Sequence, residues 1–111
     1  MVVERALENK RKRSSLDIMA DILYLLEGER RSKTAIMRLA NLNLERANKY
    51  IRFLLSKNLV AQVKYSSSVK FEITARGVEF LRDYERLKEA EEEVLEALKR
   101  LEGLTGLEGA R

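Results

Sequence analysis

The side chains best suited to chemistry with a polyanion lie on one short stretch, from about Leu44 to Lys57. Ala47, Ile51, Leu54 and Leu55 recur at helical spacing and make a core face with Tyr50 at its edge. Glu45, Arg46, Asn48, Lys49 and Arg52 are then left pointing outward. An arginine bridges two acceptors on a guanine edge and an asparagine does the same on adenine. Lysine and arginine serve equally well as phosphate contacts. Glu45 at the helix start suits the positive end of the helix dipole. A solvated helix surface would have the same composition, so the elements around this stretch decide between the two readings.

Three further basic clusters stand beside it. Arg30, Arg31, Lys33 and Thr34 surround the start of a second, short helix, where the dipole, a hydroxyl and cations together would anchor phosphate. Lys64, Tyr65, Ser66, Ser67, Ser68 and Lys70 form a polar hairpin tip that suits phosphate or minor-groove contact, or plain solvation. Lys10, Arg11, Lys12 and Arg13 are four adjacent cations, either a phosphate-binding arm or a solvated tail.

Catalysis finds little support. The 111 residues include no His and no Cys, which removes the commonest general base, the thiolate nucleophile and the commonest metal ligands. No glycine-rich phosphate loop is present, and acidic runs such as Glu91-Glu92-Glu93 sit on what reads as a solvated helix. No enzyme, no metal and no cofactor is the expectation.

Charge divides the chain. Residues 1–70 carry 15 Lys/Arg against 7 Asp/Glu, and residues 71–111 carry 7 against 11. The basic part suits a polyanion, and the acidic, heptad-like part suits another helix. No stretch approaches the ~20 apolar residues of a membrane span, and the N-terminus has no signal-peptide pattern. A cytoplasmic protein is expected. Abundant Lys, Arg and Glu without Cys, His, Pro or Trp point to a thermophile.

The elements that must position these clusters follow in order. Ser14 or Ser15 caps a first helix with Asp17 in its first turn, and Leu16, Ile18, Met19, Ile22, Leu23, Leu25 and Leu26 make it a central core helix ending at Gly28. Thr34, Ala35, Ile36, Leu39 and Ala40 fit one buried stripe on the second helix. Asn41-Leu42-Asn43 is a tight turn before the third. Asn58 sits where a left-handed cap is expected. The period then changes to two. Leu59, Ala61, Val63 and Tyr65 alternate with Val60, Gln62 and Lys64, Ser66–Ser68 turn, and Val69, Phe71 and Ile73 alternate with Lys70, Glu72 and Thr74, as in a β-hairpin. Thr74 caps a last helix predicted from Ala75 to about Glu102, roughly 42 Å long at ~1.5 Å per residue. Its length exceeds what a small head would cover. Phe80, Tyr84, Leu87, Glu91, Val94, Leu98 and Leu101 follow 4-3 spacing, with Ala90 expected at the contact in place of a rim-placed Glu91. The glycine-punctuated end is expected to fray.

Helix, helix, tight turn, helix, hairpin and long helix is the order of a winged helix-turn-helix. The fold class is therefore mainly α with a small β-hairpin. The expected divisions are a basic arm at 1–14, a winged helix-turn-helix head at 15–74, a coiled-coil dimerisation helix at 75–102 and a flexible tail at 103–111.

Lys12-Arg13-Ser14-Ser15-Leu16-Asp17-Ile18, Lys33-Thr34-Ala35-Ile36-Met37, Asn41-Leu42-Asn43, Asn48-Lys49-Tyr50-Ile51 and Ile73-Thr74-Ala75-Arg76-Gly77-Val78-Glu79-Phe80-Leu81, taken in order, resemble small archaeal winged-helix proteins of the Sso-ten-a type. The resemblance spans roughly residues 12–101. It implies duplex DNA as a partner, a dimer through a C-terminal antiparallel coiled coil, and a chromosome-organising or transcription-regulating role on the nucleoid. The DNA-contacting set would be Lys10, Arg11, Lys12, Arg13, Arg31, Lys33, Thr34, Arg46, Asn48, Lys49, Arg52, Lys64, Ser67 and Lys70. The dimer seam would be Phe80, Tyr84, Leu87, Ala90, Val94, Leu98 and Leu101. A protein-interaction winged helix that never touches DNA is the reading from another class. RNA stays open as a partner, with only Tyr65 and Tyr50 available for stacking.

Overall fold

A computed structural model describes residues 13–106. The elements are α1 (Ser15–Leu25), α2 (Lys33–Leu39), α3 (Leu44–Ser56), β1 (Val60–Lys64), β2 (Val69–Ile73) and α4 (Ala75–Thr105). Residues 14–84 form one compact unit, and the chain from residue 85 onward belongs to a second.

Each helix of the first unit starts on a side-chain cap. Ser14 Oγ accepts from the Asp17 amide while Asp17 accepts from the Ser14 amide, a reciprocal capping box. Ser32 accepts from the Ala35 amide and Asn43 from the Arg46 amide. Thr74 Oγ1 accepts from the Gly77 amide at 3.0 Å. Asn41 (φ 55°) and Asn58 (φ 60°) take the left-handed turns expected of them.

The core is a single cluster. Ile18, Ile22, Leu23 and Leu26 of α1 and its end meet Ile36 of α2 and Ala47, Ile51 and Leu54 of α3, all buried. Five residues depart from the sequence pattern. Leu16, at the open start of α1, is 44% exposed and does not join the core. Thr34 and Leu39 are also exposed, because α2 is too short to turn more than Ile36 and Ala40 inward. Leu42, read as a turn residue, is buried, and Tyr50, read as an edge residue, is only 7% exposed.

β1 and β2 pair antiparallel, Val60 with Ile73 and Gln62 with Phe71. Cross-strand partners share a face. The inward face is thus Val60, Phe71 and Ile73, and Ala61 and Val63 lie on the opposite one. Arg31 adds a one-residue third strand: its amide donates to the Phe71 carbonyl and its carbonyl accepts from the Phe71 amide.

The last helix runs past the predicted end at Glu102, through Gly103 and Leu104 to Thr105, and a positive-φ Gly106 follows it. Gly103 is tolerated because it falls in the last turn, where a glycine costs less than in a helix interior. No helix among the described residues is long and apolar enough to cross a membrane.

Gly77 and Gly103 differ in what surrounds them. A Cβ at Gly77 would lie 2.4 Å from the Leu59 carbonyl oxygen and 2.6 Å from Ile73 Cγ1, whereas at Gly103 it would meet nothing within 4 Å. Gly77→Ala should lower stability by roughly 1–3 kcal/mol despite gaining helix propensity, and Gly103→Ala should be neutral or raise it by up to about 1 kcal/mol. Thermal denaturation of the two variants checks the opposite signs.

Candidate nucleic-acid interface

The outer face of α3 is built by its inner one. Burial of Ala47, Tyr50, Ile51 and Leu54 fixes the helix rotation and leaves Glu45, Arg46, Lys49 and Arg52 exposed. Asn48 lies half-buried between the faces. There Lys33 Nζ, reaching across from α2, donates to its Oδ1 at 2.9 Å. This tie crosses the helix-turn-helix and has two effects. It fixes the side-chain amide of Asn48, whose Oδ1 keeps a second lone pair, and it engages one N–H of the Lys33 ammonium, expected from the sequence at phosphate.

Arg31, expected at phosphate, is half-buried and makes contacts within its own chain. Its Nε donates to the Leu25 carbonyl at 2.6 Å and its guanidinium pairs with Glu29 at 3.2 Å. Arg30, by contrast, reaches the wing. It donates to Glu72 at 2.8 Å and to the Tyr65 hydroxyl at 3.0 Å, and these two partners further favour its charged form. Lys70 lies 5.4 Å over the Tyr65 ring. At the tip the Tyr65 amide donates to the Ser68 carbonyl, and Lys64 and Ser67 are exposed. Thr34 and Arg13 are exposed as well; Lys10, Arg11 and Lys12 lie outside the described residues.

On α4, Phe80 and Tyr84 pack partly against the core of their own head, and the Tyr84 hydroxyl donates to Asp17. Leu81, absent from the expected seam, is buried there. Within the second unit, Leu87, Val94 and Leu101 are 41–60% exposed, Leu98 is half-buried and Leu95 is buried. Ala90 is exposed, while Glu91 is the better covered of that pair and meets Lys88 at 3.4 Å.

A groove between α1 and α3 has no counterpart in the sequence reading. Ser15 and Met19 line it from one side, and Lys49, Tyr50, Arg52, Phe53 and Ser56 from the other, around about 520 Å³. Ser15 Oγ and the Tyr50 hydroxyl lie 3.1 Å apart. This contact, with smaller contributions from Arg46 and Lys49 against the opposing effect of burial, holds the phenol below its ordinary range. The one available signal was Phe53, a large apolar residue on an otherwise polar strip of α3.

A family model described as winged helix-turn-helix matches residues 12–92. A protein of Methanocaldococcus jannaschii, uncharacterized protein MJ0287, is 37% identical over 66 residues; the match spans 60% of this chain and 64% of that protein's length. Among solved structures, Sso10a-2, a DNA-binding protein from Sulfolobus solfataricus, superposes with a TM-score of 0.74 at 24% identity, covering 83% of this chain and 96% of that one. The adhesin competence repressor AdcR from Streptococcus pyogenes superposes with a TM-score of 0.61 at 20% identity, covering 92% and 76%.

The Ser15–Tyr50 contact makes a separate prediction. Ser15→Ala should raise the titration of the Tyr50 phenol toward its ordinary value and cost roughly 0.5–1.5 kcal/mol of stability. Near-ultraviolet phenolate absorbance, with Tyr50→Phe to assign the signal, reads the shift.

Proposed function

The chain belongs to the winged helix-turn-helix family, and from that premise we propose that it is a dimeric, sequence-tolerant duplex-DNA-binding protein that organises the chromosome or regulates transcription. The observation that carries this reading is the outer face of α3, where Arg46, Lys49 and Arg52 are exposed together while α2 crosses behind and is tied to Asn48. A helix so presented enters the major groove, with the preceding helix across the backbone. Sso10a-2, described as DNA-binding, and AdcR, described as a repressor, support the same direction.

The proposed base contacts are modest. Held in place by Lys33, Asn48 keeps its N–H donors and one lone pair of Oδ1 for a base edge. Arg46, Lys49 and Arg52 reach phosphates or guanine. The wing, stiffened by Arg30, adds backbone contacts from Lys64, Ser67 and Lys70. The basic run before Ser14 supplies more. The exposed leucine and valine positions of α4 support a dimer, since an apolar strip on an acidic helix suits a second copy. Two heads on one dimer would then bridge or bend DNA.

Binding to a mixed-sequence duplex across a salt series tests the DNA reading. Arg52→Ala should weaken every duplex and make the plot of log affinity against log salt shallower, by about 0.9 in slope per phosphate that Arg52 neutralises. Asn48→Ala should act unevenly among sequences if it touches bases, by roughly 1–3 kcal/mol at its preferred step. Unchanged affinity in Arg46→Ala, Asn48→Ala, Lys49→Ala and Arg52→Ala, with helicity intact, would move the assignment to a protein-interaction adaptor. The dimer has its own check. Val94→Glu together with Leu101→Glu should shift the full chain from dimer to monomer in sedimentation.

A further inference from the structure

We propose that the groove between α1 and α3 binds a small amphipathic organic anion, an aromatic body carrying one carboxylate, sulfonate or phosphate, and that the bound anion displaces DNA. The second half rests on α3 being the DNA-contacting helix; the first half does not.

The groove has two chemically distinct sides. Met19, the ring of Tyr50 and Phe53 provide an apolar wall, and Phe53 is 45% exposed on it. Lys49 and Arg52 stand at the rim, and no carboxylate lies among the described lining residues. Lys49 Nζ is 5.4 Å over the Tyr50 ring, and Arg52 makes no hydrogen bond or ion pair among the described residues. Cations beside an apolar wall recognise an amphipathic anion, with the hydroxyls of Ser15 and Tyr50 as a polar handle.

Other occupants fit less well. DNA alone would satisfy the rim and leave Phe53 against water. A helix of a second copy needs about 800 Å² per partner for a stable interface, more than seven side chains around one groove supply. A volume of about 520 Å³ falls instead within the small-molecule range. Because Lys49 and Arg52 belong to both surfaces, anion and DNA compete for the same two charges.

The test uses the full chain and two matched fluorophores, 1-anilinonaphthalene-8-sulfonate and its uncharged analogue N-phenyl-1-naphthylamine. One sulfonate probe should bind per chain, about tenfold tighter than the neutral one, the difference a charge-assisted contact provides. Phe53→Ser should weaken both probes, and Lys49→Gln and Arg52→Gln only the sulfonate. Saturating sulfonate should release a labelled duplex. Equal affinities, non-saturating binding, or binding indifferent to all three substitutions would overturn the site. Residue-dependent binding with the duplex still held would overturn the displacement. Failure of the DNA reading would appear separately, as duplex affinity untouched without any probe by each of Arg46→Ala, Asn48→Ala, Lys49→Ala and Arg52→Ala.

Discussion

Three consecutive carbonyls at the end of α3 hold the first unit closed. Lys57 O accepts from Arg76, Asn58 O from the Thr74 hydroxyl, and Leu59 O from the Thr74 amide. The left-handed turn at Asn58 accompanies these bonds to Thr74 and Arg76 at the junction of β2 and α4, and Gly77 lets α4 approach the Leu59 carbonyl where any side chain would collide. The hairpin is thereby closed at its base, and the first turns of α4 are laid onto the core through Leu81, Phe80 and Tyr84. Without that knot α1 and α3 would still share apolar faces, but the wing would have no fixed origin from which to reach the side of α3.

Charge is distributed so that some cations are structural and others remain available. Arg31 and Lys33, adjacent to the same helix start, are engaged by a carbonyl, a carboxylate and an amide. Arg30 is divided between a strand carboxylate and a phenol. Exposed ion pairs of this kind contribute little to stability, with a median of about 0–1 kcal/mol. Their effect is to restrict geometry: they fix where Asn48 and Tyr65 stand, and the cations on the outer row of α3 stay exposed.

Much of the fold was legible because local signals agreed with the global arrangement. The caps at Ser14, Asn43 and Thr74, the turns at Asn41 and Asn58 and the change of period after Leu59 each rest on short-range chemistry, and each lies where the residues put it. What was not legible depends on contacts between distant elements. Nothing local separates Arg30 from Arg31, yet strand pairing with Phe71 turns one inward and leaves the other toward the wing. Leu16 and Leu39 carry the same apolar signal as Ile36, and only the ends of their helices decide that they stay exposed. The groove beside Phe53 arises from the meeting of two helices, which periodicity on either one does not report.

The one-residue bridge between Arg31 and Phe71 has a dynamic consequence. A two-stranded ribbon alone is marginal in water, and here its base is tied by paired backbone bonds to the segment joining α1 and α2. The hairpin therefore has two cooperative levels. The Phe71 amide, sandwiched between β1 and Arg31, should exchange its hydrogen only when the head itself opens. The amides of Ser66 and Ser67 at the tip belong to a separate, faster class. A contact made by the tip is adjustable at almost no cost to the fold, whereas displacement of the base is felt directly at the entry to α2.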